Sequence, residues 1–309
     1  MIVNTIYKKS GGIELSSIAV KTPPTMTEYK ADETIDVSGM VLEATYSNGA
    51  TREVTTGFTY SPTVAATGDT AITISFTEFD VTATTTQAIS VVSIKTVFSE
   101  NSWPDIIAAV HNKEVPDTWN VGDSCNMTIN NTTYAIDIIG KNHDDYADGS
   151  GKAPLTFQMH TTYATQYKMN GAEYNNCGWK NCLVRTANAF PKLKQVMPAE
   201  VVAAMKAVTK KTSAGNASSA IDTTEDTLFL LSEIEVQGTR TFSYPGEGTQ
   251  YEYYKTAANR EKNRAWYLRS PRISSTTCFC RTGWSGEAHW SVASEVDGIT
   301  AAWCFLGKE

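Results

Sequence analysis

Chemistry in this chain would have to come from a short set of side chains. The four histidines, His111, His143, His160 and His289, are scattered, whereas a zinc site needs ligands paired at fixed spacing. No GxSxG, HExxH or phosphate-cradling glycine loop occurs. Cys278 and Cys280 lie two apart on an expected strand, so both face one side and are poorly placed to bridge each other. Cys177 and Cys182 could meet across a turn, with a buried free thiol the favoured state. Cys278 and His289 fall in adjacent expected strands, and a reactive pair there would need an electropositive pocket to lower the thiol pKa. Asp144, Asp145 and Asp148, in the loop Lys141–Lys152, offer hard oxygens as a weak calcium candidate. Their spacing is not that of an EF-hand and no bidentate Glu follows at the required offset, which favours an ordinary acidic surface loop. No cofactor is expected, and the chain reads as non-enzymatic.

A different pattern occupies the C-terminal stretch from Ala265 to Phe305. Trp266, Tyr267, Trp303 and Phe305 stand near its two ends, where bulky aromatics can pack on one core. Between them lie Arg272, Ile273, Phe279, Arg281, Trp284, His289, Trp290, Val292, Glu295 and Asp297, which fit no catalytic pattern. A fixed frame around a chemically arbitrary middle is the pattern of a binding surface, and Trp and Arg are the residue types that dominate binding hot spots. Those ten residues are the candidate ligand-binding set. Trp266, Leu268, Cys278, Cys280, Cys304 and Phe305 are expected to be buried. Side chains alternate along a strand, so Phe279 and Arg281 are then expected to face outward.

The elements that must position this stretch divide in two. From Ile13 to about Val92, Ser16-Ile18-Val20, Val41-Glu43-Thr45 and Ile72-Ile74-Phe76 mark half-buried strands at period two. Ser47-Asn48-Gly49 reads as a type I′ hairpin. Short strands without a helix read as a β-sandwich over 13–93, after an N-terminal arm at 1–12. Val92 to Asn101 is the boundary. Beyond it Ser102 caps a helix running to about His111, with Pro104 and Asp105 suited to its first turn. Strands follow at Ser124–Ile129 and Thr132–Ile139, joined at Asn130-Asn131. Helices are expected at Asn181–Phe190, ended by Pro191, and at Pro198–Lys211, where Val201, Val202, Met205 and Val208 form an apolar stripe. Leu228–Leu231 reads as a strand buried on both faces, and Gly246–Lys255 as an aromatic loop or short helix.

Composition narrows the partners. The net charge of -7, with no basic block longer than Lys210-Lys211, argues against nucleic acid and anionic membranes. Lys210-Lys211 itself reads as a solvated helix end. No segment reaches the roughly 20 apolar residues of a membrane span, and the first residues lack the apolar core of a secretory signal. Six cysteines are too few and too clustered for a disulfide framework.

Two resemblances complete the reading. Ile18–Pro24, Tyr29–Glu33 and Thr45–Gly49 resemble the bacterial immunoglobulin-like domains of surface and phage virion proteins, which implies a spacer or weak adhesion module over 13–93. Ile138–Asp144, Lys152–Phe157, Leu228–Glu233, Trp266–Pro271 and Gly298–Phe305 resemble a domain of unknown function common in gut-bacterial phages, prophages and surface proteins. The word Leu268-Arg269-Ser270-Pro271 is also similar to the C-type-lectin-like variable proteins of diversity-generating retroelements, in which the C-terminal segment is rewritten to vary a ligand surface. The sequence departs from that pattern at Gly298–Trp303, where relatives often read Gly-Val-Arg-Pro-Ala-Phe.

The implied fold class is two domains: an all-β immunoglobulin-like sandwich, then an α+β C-type-lectin-like domain over 96–309. The implied role is receptor binding or adhesion by a phage virion protein, in the tail or decorating the head. Its partners would be a host cell-surface protein or glycan and other virion proteins, with the chain in a homo-oligomer such as a trimer. A bacterial cell-surface or secreted adhesin is one alternative. A formylglycine-generating-type oxidase, needing a reactive cysteine pair, is the other.

Overall fold

The structure is a computed structural model and describes residues 12–307. The arm expected over 1–12 therefore lies outside the described residues, Gly12 apart. The chain is a β-rich two-domain protein, divided into compact units between Ser93 and Ile94.

In the N-terminal unit, period-two patterns give two three-stranded antiparallel sheets. One runs in the order Leu15–Thr22, Val41–Tyr46, Thr51–Val54, the other Phe58–Ser61, Ala71–Glu78, Val81–Ala88. Glu28–Lys30 and Ser90–Val92 form a parallel pair. Ile18, Leu42 and Ala44 of the first sheet and Ile72, Ile74 and Phe76 of the second share one core with Tyr29. The turn after Tyr46 is not type I′. Only Gly49 takes a positive φ, of 78°, while the Asn48 side chain accepts from the Ala50 N–H at 3.0 Å.

The C-terminal unit is built on a five-stranded antiparallel sheet in the order Met205–Lys206, Ala302–Phe305, Leu155–Met159, Thr132–Lys141, Ser124–Ile129. The Ser124–Lys141 hairpin turns at Asn130 and Asn131, both left-handed at φ 48° and 59°, as a two-residue turn matching strand twist requires. Helix Trp103–His111 starts where its cap dictates: Ser102 accepts from the Asp105 N–H and the Asp105 side chain returns the bond. Its Trp103 ring meets Trp303 and Phe305, at 6.4 and 6.2 Å between centroids. Phe98 and Phe157 extend the same aromatic cluster. A hairpin, Val208–Gly215 with Ser218–Asp226, and a three-stranded antiparallel sheet, Trp266–Pro271, Cys278–Thr282, Ala288–Val292, complete the unit.

Three expectations fail in the middle of this unit. The helix expected over Pro198–Lys211 stops at Ala204 and Met205 is already extended. Val208–Gly215 is a strand, so its Thr and Val follow β preference rather than a helical stripe. Pro191 does not end a helix. It lies in the first turn of Ala189–Val196, where its missing N–H costs nothing, and the earlier helix is only Leu183–Thr186. Leu228–Leu231 is fully buried, as an apolar run should be, but makes a single bridge from Phe229 to Ala302 rather than a strand.

Trp266 is wholly buried, 6.1 Å from Tyr254 between ring centroids, and its indole N–H donates to the Arg260 carbonyl at 3.2 Å. Trp266→Ala is therefore expected to destabilise the protein by about 3–5 kcal/mol. Chemical denaturation followed by tryptophan fluorescence tests this, and a loss under about 1 kcal/mol would place Trp266 outside the core.

Candidate functional site

The C-terminal sheet hangs on a buried charge cluster that begins at Arg269, in the strand Trp266–Pro271. Its guanidinium grips the Glu235 carboxylate through two parallel bonds, Nη1–Oε2 at 2.5 Å and Nη2–Oε1 at 2.8 Å. Its other N–H groups go to Thr212 Oγ1 and to the carbonyls of Leu230, Lys211 and Glu247, at 2.8–3.2 Å. Every donor of the planar fork is thus satisfied without water. Glu235 sits where it does because it closes the capping box of helix Glu233–Gln237 with Ser232.

Next to this pair, Lys210 Nζ donates to Asp144, to Tyr251 OH at 2.8 Å and to Glu235 at 3.3 Å, and lies 4.1 Å over the Phe229 ring. Lys210 is therefore a buried strand residue and not a solvated helix end. Burial opposes ionisation of Asp144, yet the Lys210 charge and bonds from Lys210 and Thr156 hold its carboxyl down at about 2. Two cations thus balance two carboxylates, and Glu247 is a third buried carboxyl without a third cation. Burial pushes it up to about 7, against bonds from the Ser270 hydroxyl and the Ser213 N–H.

The acidic loop is not an ordinary surface loop throughout, because this cluster buries one of its carboxylates. Asp144 is turned inward to Lys210, Asp145 pairs with Lys152 at 2.8 Å, and Asp148 pairs with Lys206. The three carboxylates face three different cations, and no group of three or more His, Cys, Asp or Glu able to hold a metal occurs among the described residues.

The ten candidate residues fall on or around the sheet that Arg269 anchors. Directly opposed residues share a face. Arg281 with Tyr267 and His289, and Phe279 with Ser291, occupy one face. Cys278 with Val292, and Cys280 with Trp290, occupy the other. Trp266, Leu268, Cys278, Cys280, Cys304 and Phe305 are buried. Phe279 is buried too, which corrects its expected outward position. Alternation along the strand holds, but Cys278–Thr282 is the middle strand of the sheet, and Phe279 packs into the main core on the opposite side from the cysteines. Asp297 is also buried, accepting from Arg281 Nη1 at 2.6 Å, with Arg281 Nε 3.3 Å from His289 Nδ1. Phe279 and Asp297 are therefore supports of the surface rather than part of it.

What faces solvent is a smaller group. Trp284 is 70% exposed in the turn between Cys278–Thr282 and Ala288–Val292. His289 and Glu295 are exposed, and Arg272, Ile273, Arg281, Trp290 and Val292 are half-buried. Trp290 shares the cysteine face but stays half-open because its strand is the sheet edge. The Arg272 guanidinium lies over its ring, 4.2 Å from the centroid, with Phe242 at 6.0 Å from the same guanidinium. Phe242 was not among the candidates; it comes from an irregular segment with no period to mark it. Val296, exposed at 51%, was also missed.

As for nucleophilic chemistry, all six cysteines are free thiols and Cys278 and Cys280 are both buried. Burial, with Glu233 and Glu247 nearby, pushes the Cys280 thiol well up. A reactive thiolate needs the opposite environment.

Removing Lys210 should leave Asp144 and Glu235 short of a cation, so Lys210→Met is expected to destabilise by about 3–5 kcal/mol; equilibrium urea unfolding measures it. Glu247 gives a pH signature. The folded carboxyl holds its proton to about 7 while the unfolded one releases it near 4.5. The resulting stabilisation is complete below pH 4.5 and is lost as pH rises through about 7, by at most ~3 kcal/mol. Glu247→Gln should abolish this slope, which melting temperatures across pH 5–8 would show; a slope unchanged in the variant assigns it elsewhere.

A family model described as "Domain of unknown function (DUF6273)" matches residues 155–304. The matched span opens in the strand Leu155–Met159 and closes in Ala302–Phe305, which are hydrogen-bonded neighbours in the central sheet. No curated protein matches the chain. The second part of the chain thus contains a domain of unknown function, within the span of 96–309 expected from the sequence.

Proposed function

We propose that residues 94–309 form a ligand-display domain of C-type-lectin-like type, in a non-enzymatic binding protein of a phage virion. Residues 13–93 then act as an immunoglobulin-like spacer or weak adhesion module. The ligand is on the host cell surface. The observation that carries this reading is Trp284, a large apolar side chain 70% exposed in a turn of the Arg269-anchored sheet. Isolated exposed apolar groups are common. Here, however, the same sheet also carries the half-open Trp290 and is followed by the half-open Arg272, while its remaining aromatics, Trp266, Tyr267 and Phe279, are wholly buried. Sequence variation at such positions would leave the core untouched, which suits a surface rewritten by a diversity-generating retroelement. Binding to a host rather than catalysis also fits a Cys280 thiol that burial holds far from reactivity.

The test is direct. Trp284→Ala is expected to leave thermal stability within about 0.5 kcal/mol, as ordinary surface changes do. It should weaken capture of host cells by about 2 kcal/mol, the hot-spot threshold, in a titration of labelled protein on cells. Unfolding by this substitution would mean that Trp284 is core. Unchanged capture would mean that the ligand surface lies elsewhere. Finding the protein on bacterial surfaces and never in purified particles would favour the cell-surface adhesin.

A further inference from the structure

We propose that the Arg272–Trp290–Phe242 corner is the ligand contact itself and that it binds the carboxylate of an acidic saccharide. This rests on the display-surface reading and deepens it.

The argument begins with what Arg272 lacks. The neighbouring arginines of the same stretch are paired, Arg269 with Glu235 and Arg281 with Asp297. Arg272 has no carboxylate within 4 Å among the described residues, and its buried Nε has no hydrogen-bond partner. The buried carboxylate nearby, Glu233, is already taken by the N–H groups of Thr241, Phe242 and Ser243 at 2.7–3.0 Å. Nε is closed to solvent, but the two Nη groups make no hydrogen bond among the described residues, and their end-on edge matches the two oxygens of a planar carboxylate.

The corner is also rigid before any ligand arrives. The Arg272 N–H donates to the Cys278 carbonyl at 2.9 Å and the Ile273 N–H to the Phe242 carbonyl at 2.6 Å. Ser275 Oγ accepts from the N–H groups of Thr277 and Cys278. Buried Asn175 donates to the carbonyls of Ser275 and Cys278, at 2.9 and 2.7 Å. Little ordering cost remains at binding, so a shallow site can still hold a ligand.

A saccharide is favoured over an acidic peptide by the state of the sheet edge. A peptide would add as a strand beside Ala288–Val292. There the Trp290 carbonyl is met by His289 Nδ1 at 2.8 Å and the Val292 carbonyl accepts from Tyr267 OH at 2.8 Å. Recognition is left to side chains, with the aromatic rings positioning Arg272 and its Nη groups meeting the acid. The net charge of -7 opposes general attraction to polyanions, so binding to an acidic polymer would point to a local site.

The experiment measures binding of the full chain to immobilised dextran, carboxymethyl-dextran and polyglutamate at low ionic strength. The first two share a backbone and differ in the carboxylate. Binding is expected to carboxymethyl-dextran and not to dextran. Arg272→Ala and Arg272→Lys should each weaken it about tenfold or more, since lysine keeps the charge but not the two-pronged edge. Both variants should melt with the wild type. Equal binding to dextran and carboxymethyl-dextran, no binding to either, or full binding by Arg272→Ala would overturn the proposal. Equally tight, Arg272-dependent binding to polyglutamate would overturn the saccharide assignment. If these results are negative while Trp284→Ala still weakens host-cell capture, only the ligand class falls; if capture is also unaffected, the display surface falls with it.

Discussion

The C-terminal domain depends on one arrangement: two buried cations, Arg269 and Lys210, locked against two buried carboxylates, Glu235 and Asp144. Such a cluster is not a cheap source of stability, because taking four charges out of water offsets most of their attraction. What it supplies is uniqueness. Each partner comes from a different part of the chain: the acidic loop, the Val208–Gly215 strand, the Glu233–Gln237 helix and the Trp266–Pro271 strand. An apolar core tolerates small slips of these elements, whereas the cluster admits one relative placement in which every charge is matched. Glycine contacts point the same way. A Cβ on Gly215, at φ +80°, would fall inside the carbonyl of Asn175, the residue that pins the Arg272 loop.

This arrangement separates holding from presenting. The strand Trp266–Pro271 is buried along its whole length and takes the cluster's bonds. The strand Ala288–Val292, two positions across the same sheet, carries no buried side chain. Between them Cys278–Thr282 is packed on both faces, with the cysteines on one side and Phe279 on the other. Stability is thus concentrated on one border of the sheet, and the opposite border is left free to take any side chain compatible with a strand. Half-buried Arg281 and buried Asp297 form the intermediate case, a pair that links the open border back to the body.

Much of the framework was legible because local chemistry and tertiary context agree there. Ser102 with Asp105, and Asn130 with Asn131, set their own boundaries and the structure keeps them. The aromatic ends of the C-terminal stretch were readable as core for the same reason. Failures arise where context overrules local preference. Val201, Val202, Met205 and Val208 have helical spacing, yet the chain turns at Met205 to give the central sheet an edge strand. Lys210 looks like any surface lysine until the distant Asp144 and Tyr251 close around it. Phe79 and Asp80 make a hairpin turn with both residues at positive φ, which Asp tolerates but Phe does not advertise. Of the binding stretch, Trp284 was legible as exposed. Phe279 was not, because period two reveals which residues share a face but not whether something covers it.

The hydrogen bond from Tyr146 to the Phe305 carbonyl joins residues 159 apart, and the strand Ala302–Phe305 lies inside the central sheet rather than at its margin. During synthesis, therefore, Leu155–Met159 stays an open, apolar edge until residue 305 has cleared the ribosome. Loop closure over such a span is entropically slow, and an unpaired apolar edge invites pairing with a neighbouring nascent chain. The sheet Trp266–Pro271, Cys278–Thr282, Ala288–Val292 is synthesised within this interval and pairs locally, before the central sheet is complete. Whatever sequence its outer strand carries must therefore stay soluble beside an unfinished core, a demand on composition separate from packing in the finished fold.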